Sequence, residues 1–229
     1  MNTEVLNFLS RWLHYVFGIM WIGHLYYFNF TQVPFFGETD AATKSNAIQK
    51  LVPRALWWFR WGAMFTFVTG LVMLAIKGHI LGASWMQTTY GLFITVGAVL
   101  GTLMFLNVWL IIWPCQKVVI ESTTNVAQGK AALPDAAAKG ASALLASRSN
   151  TMFSMPMLFF MGAASHLTEF KAPSNGDYMG ALTGALVIIA LLEANAIKGK
   201  LGPLASVKGV IHVGLALTAV LFAVLYVLA

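Results

Sequence analysis

The sequence predicts an all-α integral membrane protein, a single domain over residues 1–229 built as a bundle of about six transmembrane helices. Hydrophobic residues make up 59% of the chain, charged residues only 10%, and the mean hydropathy is +0.74. A soluble domain carries about 25% charged residues, so this composition leaves too little polar surface for a globule in water. Soluble enzymes, secreted disulfide scaffolds and disordered chains are therefore excluded. The single cysteine, Cys115, also excludes a disulfide and a cysteine-rich metal site.

Six apolar stretches are long enough to cross a bilayer, which takes about 20 residues. They cover residues 6–30, 55–76, 90–113, 152–167, 178–196 and 210–228, and the fourth is the shortest. Pro134 and Asp135 begin an Ala-rich stretch that predicts a cytoplasmic helix in the third loop, and residues 39–51 predict another short surface helix. Gly97 and Gly101 have the spacing that lets helices approach closely, although chance explains that spacing as well.

Positive charge is distributed unequally among the loops. The odd-numbered loops carry ten Lys and Arg residues, which are Lys44, Lys50, Arg54, Lys117, Lys130, Lys139, Arg148, Lys198, Lys200 and Lys208. The even-numbered loops carry two, Lys77 and Lys171. Cytoplasmic loops are enriched in Lys and Arg, so the odd-numbered loops are predicted to be cytoplasmic, with both termini periplasmic in a bacterial inner membrane. The same distribution explains the net charge of +6 without nucleic acid as a partner.

Histidines are the main candidates for chemistry, because an ionisable side chain inside a span is costly. A rise of about 1.5 Å per residue places His14 and His166 in the outer half of the membrane. The same estimate places His24 and His212 in the inner half. Two histidines at matching depth on different helices are what the axial positions of a b-type haem require.

Two arginines lie at the same depths as the histidine pairs. Arg11 is the candidate partner for a propionate of an outer haem, and Arg60 for one of an inner haem. Arg60 lies in an aromatic stretch, where snorkelling to the membrane interface explains it as well, and His212 could likewise be interfacial. Asn107 and Glu193 complete the polar residues of the inner half, either as part of a site or as helix-packing contacts.

Several sequence blocks follow one another in a characteristic order. They are W-L-H at 12–14, G-I-M-W-I-G at 18–23, W-F-R-W at 58–61, N-V at 107–108, P-C-Q-K at 114–117, S-N at 149–150, M-P-M-L-F at 155–159 and His166. Together they resemble the membrane domain of bacterial cytochrome-c-linked urate hydroxylases, the alternative membrane-bound urate oxidases. The W-x-H start is also similar to copper-resistance D-type and protoporphyrinogen-oxidase-like haem membrane proteins.

The resemblance implies a multi-span domain in which His14 and His166 hold a haem or another cofactor. A cytochrome c domain follows in that family, and no haem-attachment motif follows here, so we expect a separate c-type cytochrome as electron acceptor. Trp57, Gly62 and Ser149 stand where the family pattern has a histidine, an acidic residue and a histidine. The changes at Trp57 and Gly62 remove polar groups that a purine substrate could use, which argues against urate oxidation by this chain.

The leading hypothesis is an inner-membrane oxidoreductase that carries haem b and passes electrons to a periplasmic c-type cytochrome or a respiratory partner. One haem is expected between His14 and His166, with a second between His24 and His212 as an extension. The competing hypothesis is a cofactor-free accessory subunit of a respiratory complex, or a small transporter. The histidines would then be interfacial, and the glycine faces would dock partner helices in an oligomer or a larger complex.

Overall fold

The structure, a computed structural model, describes residues 2–167 and 178–228. Within these ranges all regular structure is helical, so the predicted all-α class is confirmed. The α-helices, in chain order, are α1 (Thr3–Tyr26), α2 (Val33–Glu38), α3 (Ala41–Lys50), α4 (Val52–Leu81), α5 (Thr89–Asn107), α6 (Trp113–Ala127), α7 (Ala136–His166), α8 (Tyr178–Lys198) and α9 (Val207–Leu228). The predicted outer loop that contains Lys171 lies outside the described residues.

Four helical segments are long and apolar enough to cross a membrane. They are Val52–Ile80, Thr89–Ala127, Tyr178–Lys198 and Val207–Leu228, which coincide with the second, third, fifth and sixth predicted spans. Large apolar side chains on their outer faces have no protein cover, and Leu110, Leu191 and Val227 are 69%, 69% and 72% exposed. Because an apolar surface of this kind is stable in lipid and not in water, the chain is a membrane protein.

Helix α7 is the central helix of the bundle and explains why the fourth span looks weak in the sequence. It runs without a break for 31 residues, so the predicted cytoplasmic helix and the fourth span are one element. Its middle is buried on every side, including the polar residues Ser149, Asn150 and Thr151. The middle of α7 is surrounded by other helices, namely α5, α6, α8 and α9. Such a segment does not need the lipid-compatible composition of an outer helix.

Glycines allow close approach at two helix pairs. A Cβ atom at Gly62 in α4 would lie 3.0 Å from the backbone nitrogen of Trp21 in α1. One at Gly97 in α5 would lie 2.9 Å from the Cγ atom of Met161 in α7. The atoms facing Gly62 belong to the backbone and cannot move aside, whereas the nearest atom to Gly97 belongs to a flexible side chain, so a larger residue costs more at Gly62. Gly62, where the resembling family has an acidic residue, is therefore a packing position in this chain.

Two π-helical turns interrupt otherwise continuous helices. They cover Tyr27–Gln32, between α1 and α2, and Val108–Ile112, between α5 and α6. A proline, Pro34 or Pro114, lies two residues beyond each turn. Proline lacks an N–H group and crowds the carbonyl four residues earlier, so a wider turn at that point relieves the clash. Turns of this kind are frequent at functional sites.

Candidate functional site

His14 is held in one tautomer at the contact between α1 and α4. Its Nδ1 atom lies 3.1 Å from the hydroxyl oxygen of Thr69. That hydroxyl has a single hydrogen, which it donates to the backbone carbonyls of Phe65 at 2.7 Å and Thr66 at 3.0 Å. Thr69 therefore accepts from Nδ1–H, and Nε2 of His14 keeps its lone pair. The ring also packs on Gly70, where a Cβ atom would lie 3.2 Å from Cε1 of the imidazole.

His24 shows a similar arrangement ten residues further along α1. Its Nδ1 atom lies 2.7 Å from the carbonyl oxygen of Met20. A carbonyl only accepts, so Nδ1 carries the hydrogen and Nε2 is again unprotonated in the neutral ring. Metal-bound histidines usually donate their other ring N–H to such an acceptor, which fixes the tautomer and the ring orientation. Both α1 histidines therefore have the chemistry of an axial ligand through Nε2.

The partners predicted for these histidines lie on the surface of the bundle. His166 at the end of α7, His212 in α9 and Arg11 in α1 are all exposed. Among residues 2–167 and 178–228, no hydrogen bond or ring contact joins His166 to His14 or His212 to His24. The structure therefore gives the α1 histidines the tautomer of a ligand, and the pairing of His14 with His166 and of His24 with His212 stays a prediction.

Arg60 stacks on an aromatic ring and does not pair with any acid in the part of the chain that the structure describes. Its guanidinium carbon lies 3.7 Å from the centre of the Trp113 ring, a cation–π contact between α4 and α6. Its Nη1 atom is buried and has no hydrogen-bond partner. Arg60 therefore lies against an aromatic side chain and has an N–H group that is still able to donate a hydrogen bond. Glu193 is hydrogen-bonded to a different residue.

Glu193 belongs to a buried polar network that links α5, α7 and α8. Asn107 donates through Nδ2 to Oε2 of Glu193 at 3.1 Å and to Oδ1 of Asn150 at 3.0 Å. Asn150 in turn donates through Nδ2 to the carbonyl of Met104 at 2.9 Å. Because that carbonyl only accepts, it fixes the orientation of both amides. Asn107 is therefore the donor to both Asn150 and the carboxyl group of Glu193, and Asn150 donates to the backbone of α5.

Arg148 is a polar residue whose burial the sequence did not indicate. Charge counting assigned it to the third loop, whereas it lies within α7 and is 3% exposed. Its Nε and Nη1 atoms are buried without a hydrogen-bond partner, as is the hydroxyl of the adjacent Ser149. The sequence feature that could have indicated its burial was its position two residues before Asn150. That block resembles the family pattern and leads directly into a predicted span.

The donor set is compatible with haem more than with a bare metal ion. In the part of the chain that the structure describes, no three His, Cys, Asp or Glu side chains converge into a cluster. A haem brings four nitrogen ligands of its own and needs only axial ligands from protein. The Nε2 atoms of His14 and His24 fit that requirement.

Comparison with known proteins gives one family. The family model described as urate oxidase N-terminal matches residues 79–192. The matched region begins near the end of α4 and includes α5, α6, α7 and most of α8. It therefore contains His166, Arg148, Asn107 and Asn150, and it ends one residue before Glu193. We found no significant match among curated proteins or among solved structures.

Proposed function

The chain belongs over residues 79–192 to the urate oxidase N-terminal family, and on that premise we propose that it is a membrane-embedded redox protein that holds a b-type haem. The observation that carries the proposal is the hydrogen bond from His14 Nδ1 to Thr69, which leaves Nε2 available as a ligand. A b-type haem, when bound, supplies one-electron transfer. Electrons would pass to a periplasmic c-type cytochrome or to a respiratory partner.

The protein groups have distinct parts in this proposal. His14 and His166 would hold the outer haem, and Arg11 would neutralise a propionate. Thr69 orients the His14 ring and keeps its proton on Nδ1. His24 and His212 would hold a second haem, with Arg60 beside it.

We further propose that six helices cross the inner membrane, with both termini periplasmic. Helices α1 and α7 have 24 and 31 residues, enough for a span of about 20. The excess of Lys and Arg in the odd-numbered loops supports this orientation. Reporter fusions that are active only in the cytoplasm should be active at Lys50 and Lys130 and inactive at the C-terminus. Activity at the C-terminus would reverse the orientation.

The test of the haem proposal is a dithionite-reduced minus oxidised spectrum with haem extraction on the purified wild type and its variants. His14→Ala should abolish the α-band assigned to the outer haem, and His166→Ala should abolish or shift it. His79→Ala is the matched control, because His79 is exposed in the last turn of α4 and has no assigned role. If His24→Ala and His212→Ala also remove signal, and extraction gives two haems per chain, the second site is supported.

Two outcomes would overturn the proposal. A wild-type protein that is folded and elutes as one species but shows no haem band favours the accessory-subunit hypothesis. Full retention of the haem band in His14→Ala excludes the ligand assignment. Urate is the first reductant to try on the loaded protein under anaerobic conditions, since the matched family carries that name. Trp57 and Gly62, which stand where the resembling family has polar groups, lead us to expect no reduction by urate.

A further inference from the structure

A cavity of about 420 Å³ lies beside the first π-helical turn, away from all the proposed haem ligands. Its walls come from that turn and from α2, α3, α4, α6 and α7, and they also include Ile112 at the end of the second π-helical turn. The volume falls within the range of small-molecule sites, about 300–1,000 Å³. Both irregular turns of the fold therefore border one cavity, which is partly open to the surface.

The deep wall of the cavity presents a hydrogen-bond acceptor of fixed orientation. Asn29 is 1% exposed, and its Nδ2 atom donates to the carbonyl of Leu25 at 2.9 Å and to the hydroxyl of Ser147 at 2.8 Å. Because the Leu25 carbonyl only accepts, the amide cannot be reversed, and Oδ1 is left as the free atom. That oxygen is buried and has no hydrogen-bond partner among residues 2–167 and 178–228.

A second free acceptor lies one turn along the chain. Oε1 of Gln32, which also lines the cavity, is buried without a partner. A buried acceptor left unsatisfied costs free energy, so two of them in one cavity indicate an occupant that donates hydrogen bonds. The π-helical geometry of Tyr27–Gln32 places both side chains on the cavity wall.

The remaining walls define the other properties of the occupant. They are mainly apolar and include the rings of Phe28 and Phe36. Lys44, an exposed residue of α3, is the charged residue of the lining, and its Nζ atom lies 5.9 Å from the centre of the Phe36 ring. A positive charge at the opening, an apolar body and two acceptors inside fit an aromatic anion with a donor group at its far end.

We propose that this cavity binds a small aromatic carboxylate that carries a hydroxyl group, with the carboxylate at Lys44 and the hydroxyl donating to Asn29 or Gln32. The site is independent of the haem proposal, because none of the proposed haem ligands lines it.

The probe is 6-hydroxy-2-naphthoate, whose fluorescence reports binding to the purified full-length chain in detergent. Two related compounds separate the contacts, since 2-naphthoate lacks the donor and 2-naphthol lacks the charge. We expect saturable binding of the hydroxynaphthoate at one site per chain, and weaker binding of the other two. Binding that does not saturate below about 1 mM, or equal binding of all three compounds, overturns the proposal.

Matched variants test each contact. Lys44→Met should weaken the binding of both carboxylates by about two- to fivefold, the range of a surface charge pair, and leave the binding of 2-naphthol unchanged. Lys50→Met is its control, because Lys50 is exposed on the same helix and does not line the cavity. Either Asn29→Leu or Gln32→Met, whichever removes the acceptor used, should weaken binding of the two hydroxyl compounds about tenfold, the order expected for one buried hydrogen bond. Binding of 2-naphthoate should be unchanged in that variant, and no loss in either variant overturns the hydroxyl contact.

A filling variant tests the location. Gly37 lines the cavity, and a Cβ atom there would have no other atom within 4 Å, so Gly37→Leu has room and should reduce binding of all three compounds. Gly162→Leu is the control, because Gly162 has equal space and lies outside the cavity. Unchanged binding in Gly37→Leu overturns the location. The haem spectrum should be the same in every one of these variants, so failure here and failure of the haem proposal are distinguishable.

Discussion

Asn107 donates a hydrogen bond through Nδ2 to Oε2 of Glu193, 3.1 Å away, inside the helix bundle. The carboxyl group accepts from an amide whose orientation is fixed. The Met104 carbonyl accepts from Asn150 Nδ2, so Asn150 presents Oδ1 to Asn107, and Asn107 presents its Nδ2 group to Glu193. A carboxyl group without such a donor is costly at this depth. The network therefore fixes the register of α5, α7 and α8 against one another.

Asn107→Leu should destabilise the protein by about 1–2 kcal/mol, because it leaves Oε2 of Glu193 and Oδ1 of Asn150 without a donor. Glu193→Gln keeps a carbonyl oxygen for Asn107 and should cost less. The measurement is unfolding by a denaturing detergent. In the double variant Asn107→Leu/Glu193→Leu both partners are apolar, so the loss should be smaller than the sum of the single losses. Strict additivity would contradict a direct interaction.

Gly62→Ala should separate α1 from α4, because its Cβ atom would lie 3.0 Å from the Trp21 nitrogen and 3.3 Å from the Phe17 carbonyl oxygen. Backbone atoms cannot move aside as a flexible side chain does. Gly162→Ala gains the same helix propensity, and its Cβ atom has open space. The difference between the two variants in free energy of unfolding should be about 1–3 kcal/mol. Equal stabilities would remove the packing role of Gly62.

The sequence predicted the positions of the helices better than it predicted which helices pack against one another. Apolar length alone located the four helical segments that the structure shows as candidate spans, because lipid contact imposes that composition on outer helices. The same reasoning undervalued α7 and placed Arg148 in a loop, since burial by other helices is not visible in local composition. The two π-helical turns were also missed, although Pro34 and Pro114 were the available signals.

For the candidate site, too, the sequence indicated some features and only the structure showed the others. His14 and His24 were identifiable as ionisable residues inside an apolar span. Their tautomers were not, because the acceptor for His14 is Thr69, 55 positions away in the sequence. The packing role of Gly62 could be recognised only from the structure. In a single sequence, a glycine that replaces an acidic residue cannot be told from a glycine that lets two helices approach closely.

Thr69→Val should weaken haem binding by about 10- to 100-fold, the usual effect of removing the group that orients a ligating histidine. Valine matches threonine in shape and removes only the acceptor for His14 Nδ1–H. Thr69→Ser retains the hydroxyl and should restore both the affinity and the position of the α-band. Thr218→Val is the control, because that hydroxyl donates to the Gly214 carbonyl within α9. An unchanged haem titration and spectrum in Thr69→Val would exclude the positioning role.

Asp40 should make the start of α3 sensitive to acid. The Thr43 hydroxyl and the backbone N–H groups of Thr43 and Ala42 hold the pKa of its carboxyl group below the ordinary value of 3.8. A depressed pKa stabilises the folded helix above the ordinary value, and this contribution is lost as the pH falls through the folded value. Helix α3 carries Lys44, so the opening of the cavity should lose order in the same range, below about pH 4.

The pH effect can be measured by an NMR titration of the Asp40 carboxyl carbon in the full-length protein. Thr43→Val removes the largest contribution and should raise the pKa of Asp40 toward 3.8. Asp40→Asn keeps a capping oxygen and abolishes the titration, so the hydrogen-exchange protection of α3 should become independent of pH after correction for intrinsic rates. Asp135→Asn is the control, because Asp135 precedes α7 without a side-chain capping bond. An unshifted Asp40 titration in Thr43→Val would show that the backbone N–H groups alone depress the pKa.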